Sequence, residues 1–287
     1  MKIVTDSAAD LPAEDIANPD IMVMPLYIQF PEGEVGSHQL TPDQFYDRLR
    51  EMFPAIPTTA QPSSGQFAKL YRDLAEQDPE VLSIHISSGL SGTIASARAA
   101  VDQALPARVE TWDTLTLSGG ERYQVLAAAW AAKAGWAKSA ILERLEQIRK
   151  HTEVVFTLET LEYLARGGRI GRVQGMLGAL LKLKPIIRVE HSDGKYSTVG
   201  KERTTLKALT TLVAYLEGVY GSEEPLWVSV MHGQFQAQAE NLARMVSERL
   251  KVARLEILRV SPVLGVHTGP EVVGTAVVPM RWMEGIG

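Results

Sequence analysis

A chain of 287 residues is long for one simple core, so two domains are the natural expectation. A hydrophobic content of 45% with 22% charged residues excludes a disordered chain, and a net charge of -5 speaks against a general nucleic-acid binder. Cysteine is absent, which excludes disulfides and thiolate chemistry outright.

The N-terminus, Met1-Lys-Ile-Val-Thr-Asp-Ser7, reads as a strand running into a turn. It lacks the apolar core of a signal peptide, and nowhere do about 18 apolar residues run together. A cytoplasmic protein without stable membrane insertion is therefore expected. Residues 21–28 look like a second strand. Thr41-Pro-Asp-Gln44 signals a helix start, with Thr41 as cap, Pro42 in the first turn and Gln44 completing a capping box. This helix should stop near Pro54. Pro57-Thr-Thr-Ala-Gln-Pro62 reads as a loop pinned between prolines, from which Thr59 or Gln61 faces a ligand; a rigid linker is the bland alternative. Ser63-Ser-Gly-Gln66 repeats the capping box and opens a helix to Ala75.

The most informative stretch follows. Apolar residues alternate over 81–86, then comes Ser87-Ser-Gly-Leu-Ser-Gly-Thr93, and 94–101 has helical composition. A strand, a glycine-rich turn and a helix start together present backbone N–H groups and hydroxyls suited to a carboxylate or phosphate. An ordinary turn whose Ser and Thr only cap the helix is the competing reading. His85, inside the alternation, is better explained as a satisfied core histidine.

Residues 108–113 form a plausible strand and 118–134 a long Ala-rich helix. Such alternation predicts an N-terminal α/β domain over 1–151, with a parallel sheet flanked by helices. A helix over 139–150 leads to a strand at 154–158, with the domain boundary near His151. Residues 161–166 look helical, ended by Gly167-Gly168. Strands 185–190 and 195–199 flank Asp193-Gly194 as a β-hairpin. Helices 204–220 and 237–250 then alternate with strands 226–231, 255–260 and 272–278. The second domain, 152–287, is thus α/β with a mixed or antiparallel sheet. Gly265-Val-His-Thr-Gly-Pro-Glu271 reads as a polar loop between strands, whose histidine handles a proton or serves as a structural donor. His232, at a strand end, is open to the same two readings.

Charge is unevenly spread. Up to His151 there are 13 Lys/Arg against 20 Asp/Glu, and from Thr152 onward 16 against 14. Within 163–207 there are ten basic residues and three acidic ones. Arg166-Gly-Gly-Arg-Ile-Gly-Arg172 combines guanidinium forks with flexible backbone, as suits phosphate or carboxylate recognition or docking. There is no Walker loop, no Gly-x-Ser-x-Gly elbow and no metal-ligand spacing. The chain offers anion-ready loops without a visible catalytic engine, and no catalytic or metal-binding residue is assigned.

Taken in order, these pieces resemble the DegV family of bacterial fatty-acid-binding proteins, which act as acyl carriers. The matching segments are Val4-Thr-Asp-Ser-Ala-Ala-Asp-Leu-Pro12, Thr59-Ala-Gln-Pro62, Ser87-Ser-Gly-Leu-Ser-Gly-Thr93, and Asp113 with Ser118-Gly-Gly120. Further on come Leu161-Glu-Tyr-Leu-Ala-Arg-Gly-Gly-Arg-Ile170, Lys184-Pro-Ile-Ile187, Gly200-Lys-Glu-Arg203 and Gly265-Val-His-Thr-Gly-Pro270. The resemblance implies a two-domain α/β fold enclosing one long-chain fatty acid, such as palmitate, stearate or oleate, between the domains. It implies no cofactor and no enzymatic activity, but presentation of the acid to a separate ATP-dependent fatty-acid kinase that makes acyl phosphate for phospholipid synthesis. By the same resemblance the carboxylate is held at Thr59, Ser91, Gly92, His267 and Thr268, and Arg166, Arg169, Arg172, Lys201 and Arg203 form the kinase-facing surface. The chain departs from the family pattern at Ala60, where Ser is usual, at Arg122, where Gly is common, and over 31–40. The alternative is an enzyme acting on a small phosphorylated or carboxylated substrate, using His267 and the arginine-rich loops.

Overall fold

The computed structural model describes residues 1–176 and 183–286. Its strands, numbered in chain order, are β1 (Lys2–Asp6), β2 (Ile21–Met24), β3 (Tyr27–Phe30), β4 (Gly33–Gly36), β5 (Thr58–Ala60), β6 (Glu80–His85) and β7 (Arg108–Asp113). Then follow β8 (Glu153–Leu158), β9 (Lys184–Val189), β10 (Tyr196–Glu202), β11 (Leu226–His232), β12 (Val252–Arg259) and β13 (Val272–Pro279). They make three sheets. One is all parallel, in the order β2-β1-β6-β7. The second, β10-β9-β8-β13-β11-β12, is mixed, with only β11 and β12 running parallel. The third is a small antiparallel sheet, β4-β3-β5. The two-domain α/β architecture expected from the alternation is present, with a parallel sheet in one half and a mixed sheet in the other.

The third sheet corrects the reading of 21–28 as one strand. Pro25 has no N–H to give a ladder, so the parallel strand ends at Met24. The N–H of Leu26 goes instead to Ser7 Oγ at 2.9 Å, and Leu26 O accepts from Ser37 N at 2.8 Å. The chain then re-pairs as β3. The loop expected at 57–62 is likewise part of this sheet, because Thr58–Ala60 pairs with β3 between its flanking prolines.

The helix Gly119–Lys133 lies between the two large sheets and is buried on almost every side. Its small residues permit this. A Cβ on Gly119 would stand 2.6 Å from Ala276 Cβ, and one on Gly120 would stand 2.7 Å from both Thr116 Oγ1 and Val154. Toward the parallel sheet, Thr5 Oγ1 donates to Glu121 at 3.2 Å. Burial pushes the Glu121 carboxyl well up, so it sits there neutral. Toward the mixed sheet, Tyr123 OH reaches Ser229 Oγ at 2.8 Å and Ala276 O at 3.0 Å.

Arg122, on the same helix, is 1% exposed. A buried guanidinium is tolerable only when paired, and this one binds Asp15 at 2.6 Å and also Glu256 on β12. The residue that departs from the family pattern thus ties the short helix Ala13–Ile16 to the mixed sheet.

Candidate functional site

The turn after β6 is built as a rigid ledge. Ser87 N donates to Thr116 O at 2.8 Å, Ser91 N to Ser87 O at 3.0 Å, and Ile86 N to Asp6 Oδ2 at 3.1 Å. Ser91 Oγ lies 2.8 Å from Thr93 Oγ1 and accepts from Thr93 N, the first residue of the helix Thr93–Ala100, at 3.3 Å. The β9–β10 hairpin closes over this ledge, because Ser87 Oγ donates to Gly194 O at 2.9 Å. Gly194 has φ +63°, and a Cβ there would lie 1.9 Å from Ser87 Oγ. Glycine is therefore required for the hairpin tip to dock.

His267 arrives differently from the sequence expectation. Of the loop expected over 265–271, residues 265–268 instead end the helix Pro262–Thr268, with Pro262 in its first turn and Gly269 at φ +76° just past its end. The Pro-first, Gly-after pattern marks such a helix, but the glycines at 265 and 269 weaken its helical signal in the sequence. The helix brings His267 Nε2 to 2.9 Å from Thr59 Oγ1 on β5. Its Nδ1 is buried with no partner among the described residues and points at Gly167, where a Cβ would lie 2.2 Å away. Burial, and after it the charge of Arg169, pushes the imidazole down to about 3, so His267 is neutral at physiological pH.

Thr59, Ser91 and His267 line one cavity together with Gln61, Leu90 and Arg169. Its empty volume is about 500 Å³, solvent at the mouth included. Arg169 is half-buried there, its Nη1 donating to Gly167 O at 2.8 Å and its Nε to Leu90 O at 3.4 Å. A second cavity, about 390 Å³ with open solvent included, is walled almost entirely by apolar groups such as Leu117, Val154, Phe156, Met231 and Val272. Tyr196 and Leu264 border both, so a chamber that carries polar groups and an apolar one lie next to each other on either side of these two residues. Tyr196 is held there by an edge-on contact with Phe156, ring centroids 5.4 Å apart.

Of the expected carboxylate group, Thr59, Ser91 and His267 converge. Gly92 faces Gln61, whose Nε2 would lie 3.0 Å from an added Cβ, and does not line the cavity. Thr268 donates to Leu264 O at 3.2 Å and faces the apolar chamber. The basic group divides. Arg169 turns inward to the polar chamber. Arg166 bonds Glu162 and the carbonyl of Pro54, Arg172 pairs with Asp193 at the hairpin tip, and Lys201 and Arg203 are exposed. The role of Arg169 was hidden because a glycine-rich arginine run reads as surface. The apolar walls gave no signal, since each residue alone looks like core.

One constellation imitates a hydrolase. His85 Nδ1 lies 2.9 Å from Asp6 and its Nε2 2.7 Å from Ser83 Oγ. All three are fully buried, Ser83 Oγ is also engaged by Tyr71 OH at 2.7 Å, and neither Ser83 nor His85 lines either of these two cavities. A nucleophile needs access to substrate, so this is a satisfied core network, as expected for His85. His232 Nδ1 accepts from Phe235 N at 3.3 Å and serves the start of a helix. Among the described residues no group of three His, Asp or Glu could hold a metal ion, and no helix is long and apolar enough to cross a membrane.

Comparison with known proteins places this geometry in context. Residues 1–280 match a family described as uncharacterised protein, DegV family. A DegV domain-containing protein of Deinococcus radiodurans is 34% identical over 280 residues, covering 98% of this chain and 96% of that one. Among solved structures, a fatty-acid-binding DegV family protein from Thermus thermophilus superposes with a TM-score of 0.90 at 33% identity, over 97% of this chain and 99% of that one. A Thermotoga maritima protein described as revealing fatty acid binding function gives 0.86 at 28% identity, over 97% and 98%.

Proposed function

The chain belongs to the DegV family, and from that premise we propose that it binds one long-chain fatty acid, without a cofactor, and presents it to a fatty-acid kinase. The observation that carries this reading is a pair of neighbouring chambers, one with polar groups and one apolar, that share Tyr196 and Leu264 in their linings. An acyl chain gains roughly 0.8 kcal/mol per methylene buried, so the apolar chamber supplies affinity without directional contacts. A carboxylate must be given donors on leaving water. Neutral His267 can donate from Nε2 to Thr59 Oγ1, which frees the Thr59 hydroxyl hydrogen for a carboxylate oxygen. Ser91 Oγ and the Arg169 guanidinium supply the remaining donors and the countercharge.

An imidazole pushed down to about 3 is neutral at physiological pH and a poor general acid, which favours a holding role over acid catalysis. For the kinase, the exposed Lys201 and Arg203, with Arg166 and Arg172 beside the cavity-bearing loops, are the cations we assign to docking.

The test is native mass spectrometry of the purified protein, followed by solvent extraction and lipid analysis. One C14–C18 acid per chain is expected. A bare protein that also refuses added fatty acid would overturn the reading.

A further inference from the structure

The carboxylate site does not use the segments around Asp10 and Ser118, yet these meet at a junction between two spaces. Ser118 borders the apolar chamber. Its Oγ donates to Asp10 Oδ2 at 2.5 Å, and Ser261 N donates to Asp10 Oδ1 at 2.8 Å. Asp10 and Ser261 in turn border an open groove of about 1120 Å³, solvent included, with apolar walls from Leu11, Ile16, Val23 and Leu258. The hydrogen-bonded pair thus links a residue that lines the chamber to a residue that lines the groove.

Both residues of the pair are held in unfavourable backbone. Asp10 has φ +49°, and Ser118 has φ +54° with ψ -135°, a combination that favours glycine. Strain of this kind persists only where the surroundings impose it, and it clusters at ligand clamps and switches. The groove also contains polar capacity that the fold leaves unused. Ser37 is 3% exposed, and its Oγ has no partner among the described residues.

We propose that the Asp10–Ser118 pair is the wall that ends the acyl chamber and fixes the longest chain it accepts, and that the groove behind it is a second apolar site. This rests on the fatty-acid reading above. A chain end that reaches the pair meets a carboxyl already satisfied by two donors. Parting them strips a buried group of its hydrogen bonds, which costs more than one further methylene returns. Chain growth stops there. Without the Ser118 side chain, the end of a longer chain passes into the groove.

The experiment uses delipidated protein and saturated fatty acids from C14 to C24, with dissociation constants from calorimetric titration. Ser118→Gly suits the local backbone and removes only the wall. Ile16, which is 50% exposed, can be changed to Trp to fill the groove without touching the core. Burial of each methylene is worth about fourfold in affinity, so the C22-to-C16 affinity ratio should rise about tenfold or more in S118G. The double variant S118G/I16W should fall back to the wild-type ratio. A wild type that binds C16 while S118G shows the same length profile overturns the wall, and a double variant that keeps the long-chain gain overturns the groove as its receiver. A wild type that binds no acid of any length overturns the fatty-acid reading itself.

Discussion

The polar end of the cavity draws its groups from four separate segments: β5, the turn after β6, the loop after helix Glu162–Arg166, and helix Pro262–Thr268. The apolar end is walled largely by β8, β11 and β13, adjacent strands of one sheet. Each polar group is held by one or two contacts, such as the single Thr59–His267 bond, whereas the apolar walls belong to a continuous packed core. Directional chemistry thus sits on loops that two scaffolds position, and non-directional affinity sits in a scaffold. The two ends should therefore fail independently.

The sharpest way to break this division is Thr59→Ala with Ser91→Ala. Two hydrogen bonds to a charged group are worth about 1.5–3 kcal/mol each, so fatty-acid affinity should drop about 100-fold or more. Affinity for the fatty alcohol of equal length, measured by the same titration, should change little. Equal losses for both ligands would mean that the ends are not separable.

Next in size is a pH effect confined to the polar end. The folded pKa of His267, about 3, lies below its unfolded value of 6.5. Between these limits the unfolded chain binds the proton and the native state does not. The contribution is therefore complete above pH 6.5 and is lost as pH falls toward 3, about 3 kcal/mol by pH 4. Asp10, raised to about 6 by burial, acts with the opposite sign: its stability contribution grows as pH falls from 6 toward 4. Denaturant titrations from pH 7 to 4 should show His267→Gln resisting acid better than wild type. An unchanged pH slope in that variant would rule out a neutral, buried His267.

Gly167→Ala should follow, because its Cβ would occupy the place of the His267 ring. The ring must move off Thr59, and fatty-acid affinity should fall about tenfold, the worth of one such hydrogen bond, with fatty-alcohol affinity retained. The smallest effect on the protein itself is expected from Lys201→Glu with Arg203→Glu. Both sites are exposed, so stability should stay within about 0.5 kcal/mol and bound lipid should be kept. Acyl phosphate formation with the kinase should nonetheless be lost, and its survival would remove this face from docking.

Much of the fold was readable because the signals were local. The capping boxes at Thr41 and Ser63, the Asp193-Gly194 hairpin and the apolar runs of β6 and β8 all lie where their patterns predict. The misreadings have physical causes. Pro25 splits one apolar run between two sheets, and β5 is too short and too proline-bound to look like a strand. At the site, Ser91 and Thr59 were legible as hydroxyls in constrained turns. The inward turn of Arg169 and the place of Tyr196 beside Leu264 between the two chambers were not, since each depends on a neighbour more than 60 residues away. Cavities are properties of packing, and no run of residues encodes one.

The helix Gly119–Lys133 carries a consequence for how the molecule comes apart. Its residues belong to a core cluster that also takes in Ile3 and Leu82 from the parallel sheet and Phe156 and Trp227 from the mixed one. Neither sheet can melt and leave the other with its apolar face covered. Heating should therefore give one calorimetric transition whose van't Hoff and calorimetric enthalpies agree, despite two large sheets and 287 residues. The same shared layer forbids a wide hinge between the sheets, so a ligand must enter and leave by movements of loops at the rim.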